Sequence, residues 1–416
     1  MVGFGQMNAI PPIREQRQAS TRRLLVGLLI VFVILLGRTA VASANSLIKE
    51  LPLPEGLSSA QSMAVDASGR VWFSEKVGKK LAVFDPSSDS FETFSLPSSW
   101  GELGFSKITV GPGGDIWFTM HRWVENENDP NMLGRFSPGD GYFTKYALSI
   151  DAIPEDIFVA DDGVVWFLAN NKNSLYRVNP KNFKIKGYAI PTENASPRGL
   201  VADDEGNIWF SEANANKIGK FVPKDEVFYE YEVPTDFANP GEIAIDADGR
   251  VWFVETTTNR LGVFYPKLDR FDEALIPTAR SSPNSLAVDN AGRVWFLEYR
   301  ANKVGVFNPK TAVFQEYDIP TFTSLPGEMA IDQQRSVLWF TQSSTEAKRL
   351  GMIALKEVPV ESGGGGALVK DSISAQESLS PDTQRDSVKW LLVIAVIVIA
   401  VIVGGWYRHS RNLRNP

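Results

Sequence analysis

Short apolar runs alternate with polar turns through most of the chain, and the dipeptide Trp-Phe punctuates them seven times, at Trp72, Trp117, Trp166, Trp209, Trp252, Trp295 and Trp339. The successive gaps are 45, 49, 43, 43, 43 and 44 residues. One period, residues 240 to 277, divides into Ile243–Asp246, a turn at Asp248-Gly249, Arg250–Glu255, a loop, Arg260–Phe264, a second turn, and Phe271–Ile276 before Pro277. Apolar residues recur at every second position in these segments, as in strands with one face in a core. Gly249, like Gly69, Gly114, Gly163, Gly206 and Gly292, falls where a tight hairpin needs positive φ. Four short strands per repeat of forty-odd residues predict a propeller blade, and seven repeats a closed ring. The fold class is all-β, a seven-bladed β-propeller with four-stranded blades, its Trp-Phe pairs serving as framework between blades.

The last repeat, Leu338 to Leu355, stops before a fourth strand. Ile48-Lys-Glu50-Leu-Pro-Leu-Pro54 matches the apolar, Glu and Pro positions of a fourth strand such as Phe228-Tyr-Glu230-Tyr-Glu-Val-Pro234. The beginning of the domain is therefore expected to complete blade seven, which removes an exposed sheet edge.

The repeats place the propeller at 45–356 and leave two tails. Residues 1–44 carry Arg14, Arg17, Arg22 and Arg23, the apolar run Leu24 to Gly37, and Ala42-Ser43-Ala44, a small-x-small cleavage pattern. They read as a signal peptide or, if uncleaved, an N-terminal anchor. Residues 357–388, with Gly363 to Gly366 and many polar residues, read as a flexible stalk. Residues 389–407 hold the nearly unbroken apolar stretch Trp390 to Tyr407, a transmembrane helix. The basic tail 408–416, with Arg408, Arg411 and Arg414, is expected on the cytoplasmic side and the propeller outside. The expected location is thus a cell membrane, spanned once.

Charge and composition narrow the chemistry. The chain carries −7. The two end segments contribute +7, leaving −14 on the remainder, which argues against a nucleic-acid partner. With no cysteine in the chain, disulfides, thiolate metal sites and cysteine nucleophiles are excluded.

Units such as Gly206-Asn-Ile-Trp-Phe-Ser-Glu212, followed by Asn216-Lys-Ile-Gly-Lys220 and Glu230-Tyr-Glu-Val-Pro234, resemble the repeats of the virginiamycin B (streptogramin) lyase family, and the resemblance covers all seven repeats. It implies a seven-bladed propeller and a Mg-dependent enzyme that linearises a cyclic depsipeptide by elimination. It also implies histidines just after the proline that precedes an innermost strand in late blades. The matching positions are Arg198, Gly241, Asn284 and Gly327, and in early blades Gln61, Ser106 and Glu155; none is histidine. Imidazole is the usual base near neutral pH for such an elimination. No catalytic residue is therefore assigned, and an active lyase is not expected.

Candidate binding residues follow from topology. First strands begin, and second strands end, on the same face of the disc. Glu75, Glu212, Glu255 and Glu298 at second-strand ends form an expected acidic ring that could hold Mg²⁺ or Ca²⁺ through oxygen ligands. Glu155, Arg198, Glu242 and Glu328 near first-strand starts are expected around the channel mouth. Blade two is singled out by loop length: 15 residues separate Phe118 from Leu133, where five blades have 8 and blade seven has 10. That insertion contains His121, Arg122 and Trp123, and the preceding inter-blade loop carries Trp100. Two tryptophans outside the framework could stack on a sugar, peptide or aromatic ligand. The expected function is a membrane-anchored recognition module that binds an extracellular ligand or partner protein on this face; the alternative is a metal-dependent C–O lyase or hydrolase.

Overall fold

A computed structural model describes residues 47–359 except 76–78, 102, 123–130 and 149. The expected signal segment, membrane span, cytoplasmic tail and nearly all of the stalk lie outside the described residues. Seven four-stranded antiparallel sheets make up the described part. Blade five shows the plan: Pro240–Ile245, Val251–Glu255, Arg260–Tyr265 and Arg270–Leu275 hydrogen-bond in that order. Each predicted glycine turn has positive φ, from 76° at Gly69 to 82° at Gly114.

The Trp-Phe pair explains how blades stack. In four blades the buried indole N–H donates to an aspartate at the start of the preceding turn, as Trp252 does to Asp246 at 2.7 Å. In five blades the adjacent phenylalanine faces a glycine on the next strand, which lets the ring lie flat on the backbone. A Cβ at Gly262 would meet Phe253 at 2.1 Å, and one at Gly305 would meet Phe296 at 2.1 Å. Blade three solves the same problem differently. Tyr176 replaces the glycine and stacks on Phe167 at 5.1 Å, and the glycine moves one strand outward, to Gly187, against which Tyr176 packs.

Ring closure follows the expected register. Ile48–Pro52 pairs with Arg349–Ala354, Glu50 lying opposite Gly351. Glu50 takes hydrogen bonds from the Thr321 backbone N–H at 3.0 Å and hydroxyl at 2.9 Å. Glu230, Glu273 and Glu316 hold Thr192, Thr235 and Thr278 of the preceding blade in the same way. Closure therefore uses a latch repeated at the neighbouring junctions. Replacing Glu50 by Ala removes both bonds and the one that Glu50 accepts from the buried Gln342 amide, so stability should fall by roughly 1–3 kcal/mol. A chemical melt checks this against Glu92→Ala, an exposed carboxylate that should change nothing measurable.

Candidate functional site

The first strand of most blades enters the ring through a bulge just after its first residue, as between Pro240 and Ile243. The bulge turns two successive side chains toward the axis. In blade five these are Gly241 and Glu242, in blade three Glu155 and Asp156, in blade two Ser106 and Lys107. Together with Gln61, Arg198, Asn284 and Glu328 they line an open polar cavity of about 460 Å³ at the channel mouth. Gly199 lets blades four and five approach, since a Cβ there would sit 2.8 Å from the Gly241 carbonyl oxygen.

Glu155, Arg198, Glu242 and Glu328 all line this cavity. The residue that organises it, Lys107, was not singled out in the sequence. Its ammonium lies 3.1 Å from Glu242, 3.0 Å from Glu328 and 3.9 Å from Asp156, so it ties blade two to blades five, seven and three across the axis. Burial opposes the charge on Lys107, but the three carboxylates outweigh it and hold its pKa well above the ordinary value. Burial pushes Glu242 up to about 7; Lys107 counters that effect, while Asp156 and Glu328 add to it. The second oxygen of Glu328 accepts the Met63 N–H at 3.1 Å, and Asp156 accepts the Leu200 N–H at 2.7 Å. These carboxylates therefore also join neighbouring blades.

Two expectations need correction. Trp100 ends a short 3₁₀ turn, Ser98–Trp100, and is only 7% exposed; it packs edge-on against Phe143 at 6.0 Å in the core between blades one and two. Its ring covers that core and offers no free face for stacking. His121 and Arg122 end the second strand of blade two, opposite Gly104 and Leu103. Trp123 lies outside the described residues.

The second correction concerns the acidic ring. Glu75, Glu212, Glu255 and Glu298 are buried, 0–1% exposed, and do not line the cavity. Each is two residues beyond the Phe of its Trp-Phe pair, so strand alternation sends it to the Phe side, into the blade rather than toward the axis. In blade four the missing Cβ of Gly219 makes room for both the Phe210 ring and the Glu212 carboxylate. Burial, then the Glu230 charge, raises Glu212 to about 8; burial and Glu273 raise Glu255 to about 8; burial and Glu316 raise Glu298 to about 7. At neutral pH Glu212 and Glu255 hold a proton and can donate it to Glu230 and Glu273 beside them, while Glu298 is about half protonated. Blade seven supports that reading: Gln342 stands in the same place, and its amide donates to Glu50 at 2.8 Å. Glu75 differs in accepting the Ser58 backbone N–H at 3.3 Å.

These residues do not fit a divalent metal. Among the described residues no three Asp, Glu or His side chains gather as such a site requires. The channel carboxylates that do converge already surround an ammonium group.

Comparison with known proteins agrees with the fold. A model of the virginiamycin B lyase family matches residues 46–350. No curated protein matches the chain. Among solved structures, virginiamycin B lyase from Staphylococcus aureus is similar at 24% identity and TM-score 0.65, over 74% of this chain and 98% of that one. A streptogramin B lyase structure is similar at 26% identity and TM-score 0.64, over 73% and 96% of the two chains. YCF48 bound to D1 peptide shares the fold at 14% identity and TM-score 0.59, over 75% and 97%. The match of the family model to most of the chain, together with seven four-stranded blades, shows that this protein belongs to the virginiamycin B lyase family.

Proposed function

We propose that the protein is a membrane-anchored, extracytoplasmic recognition module that binds a ligand or partner protein on its channel face and does not linearise streptogramins. The carrying observation is the cavity itself. It is open and polar, and the described residues that line it include no histidine to serve as a base. Its most enclosed cation is Lys107, which three carboxylates hold charged and therefore unfit to accept a proton. With Arg198 also present, four carboxylates and two cations face the cavity, so it favours a ligand carrying positive charge. Two exposed phenylalanines support a macromolecular partner. Phe237 and Phe322 are 84% and 87% exposed, on the loops that lead into the first strands of blades five and seven. The peptide on YCF48 gives a propeller of this fold a polypeptide ligand. The apolar runs at 24–37 and 390–407 support export and anchoring.

Family membership favours the second reading, a lyase working with other groups. Incubating the full-length chain with quinupristin and Mg²⁺ and following the antibiotic by chromatography separates the two. The recognition reading predicts that the cyclic compound persists at equimolar enzyme. Appearance of the linear isomer, lost on Glu242→Gln, would establish the lyase.

A further inference from the structure

A sevenfold repeat supplies its own control: what recurs in every blade is framework, and what departs from the repeat in one place needs another reason. Two such departures meet at the junction of blades five and six. Arg280 occupies the loop position that is Asn194, Phe237 and Thr323 at other junctions, all with φ between 53° and 58°. Arg300 follows the second strand of blade six, where blades four, five and seven have Asn214, Thr257 and Ser344. The Arg280 position is arginine in no other blade, and the Arg300 position recurs once, as Arg122 of blade two, so this junction alone carries arginine at both.

The two loops are fixed against each other. The Arg300 N–H donates to the Ser281 carbonyl at 2.9 Å, and the Tyr299 N–H to the Ser282 carbonyl at 3.2 Å. Asn259 locks the same loop, its Oδ1 accepting the Ser281 N–H at 2.7 Å. Arg280 and Arg300 thereby line one cleft of about 270 Å³ with Thr256, Thr257 and Ser282. Among the described residues, Arg70, Arg250, Arg270, Arg293 and Arg335 each hold an aspartate. Arg280 and Arg300 hold no carboxylate among the described residues. In a domain of net negative charge, two unpaired guanidinium groups sharing a hydroxyl-lined cleft are unusual. A guanidinium presents a planar fork of donors that matches a carboxylate or phosphate, and two of them beside the Thr257 and Ser282 hydroxyls suit a single oxyanion, the Thr256 hydroxyl being engaged with the Pro283 carbonyl at 3.1 Å.

We infer that the cleft between blades five and six is an oxyanion-binding site, which takes a phosphate or carboxylate group carried by a ligand at the rim of the channel. Thr256 lines both this cleft and the channel cavity, so the bound anion sits beside the acidic channel mouth. The inference stands whether or not the channel binds a ligand of its own.

Isothermal titration of the full-length chain in a non-ionic detergent tests it, with inorganic phosphate and acetate as probes and chloride holding ionic strength constant. Saturable binding of at least one probe is expected, weakened at least tenfold by Arg280→Gln and by Arg300→Gln. Arg300→Lys, which keeps the charge but loses the fork, should fall between. Glu92→Gln, on the exposed outer strand of blade one, should leave the titration unchanged. A preference for phosphate or for acetate assigns the oxyanion, and either supports the site. Both arginines are exposed and make no contacts that hold the fold, so unchanged melting curves should accompany the loss. Binding that survives in the Arg280→Gln/Arg300→Gln double variant, or no saturable binding of either probe to the wild-type chain, overturns the inference.

Discussion

The melting midpoint of the propeller falls by about 10 °C between pH 6 and pH 9, as several kcal/mol of stability are lost in a domain of this size. The cause is the set of buried glutamates beside the latches. Glu212 and Glu255 are raised to about 8 and Glu298 to about 7, mainly by burial and next by Glu230, Glu273 and Glu316. The folded chain therefore binds protons that the unfolded chain, whose glutamates titrate near 4.5, has already released. Where the native state holds more protons, stability declines as pH rises, and the decline spans the interval from about 4.5 to about 8. Below that window these three glutamates are protonated; above it, two carboxylates face each other in blades four, five and six. The other groups packed on these sites soften the effect without reversing it: Lys217 beside Glu212, Arg260 and Thr258 beside Glu255, Lys303 and Ser281 beside Glu298, with Asp318 adding repulsion at the last. Glu242, raised to about 7, acts in the same direction. The triple substitution Glu212→Gln, Glu255→Gln and Glu298→Gln copies what Gln342 already does in blade seven. It should flatten most of the pH dependence while preserving the fold. A midpoint that is constant from pH 6 to pH 9 in the wild-type chain would remove the shared-proton account.

Lys107→Met should destabilise the ring by about 3–5 kcal/mol at pH 7, the usual cost of removing one partner from a buried charge cluster. The substitution leaves Glu242, Glu328 and Asp156 facing one another across the axis without a counter-charge. Two further measurements separate this electrostatic cause from simple loss of packing. At pH 5, below the raised pKa of Glu242, that carboxylate takes up a proton and the deficit should shrink. In the Lys107→Met/Glu242→Gln double variant it should shrink at pH 7 as well, because one of the three repelling charges is gone. Urea melts of the four proteins at both pH values give the answer, and a deficit independent of pH and of Glu242 would mean that Lys107 acts only by filling space.

The ring was legible because a repeat states its architecture seven times. Trp-Phe spacing gave the blades, the recurring turn glycines gave the hairpins, and the match of Ile48–Pro54 to the other fourth strands gave the closure. The channel was harder to read because its residues are defined by where the repeats differ. Arg198, Glu155, Glu242 and Glu328 could be placed from the proline that opens each first strand. Lys107 could not, since blade two opens with Phe105 in place of that proline, and the bulge that brings a second residue to the axis has no fixed sequence sign. Aligning the residue one step further in every blade, Ser62, Lys107, Asp156, Gly199, Glu242, Ser285 and Glu328, would have exposed a single cation among acids. The buried glutamates were misplaced for a simpler reason. Their separation of two from the Phe of each pair gives them its side of the strand, and that parity was present in the sequence. Trp100 shows the opposite limit: nothing in a loop sequence says whether a tryptophan covers a core or faces a ligand.

Site-specific photo-crosslinking in cells of origin tests recognition by the channel face most directly. A photoreactive residue at Glu155 or Arg198 faces the channel mouth, whereas one at Leu268 lies in the turn between the third and fourth strands of blade five, on the opposite side of the disc. The account predicts a discrete adduct from the two channel positions, diminished by Glu328→Gln, and none from Leu268. Equal adducts from both faces, or none from the channel, would contradict it.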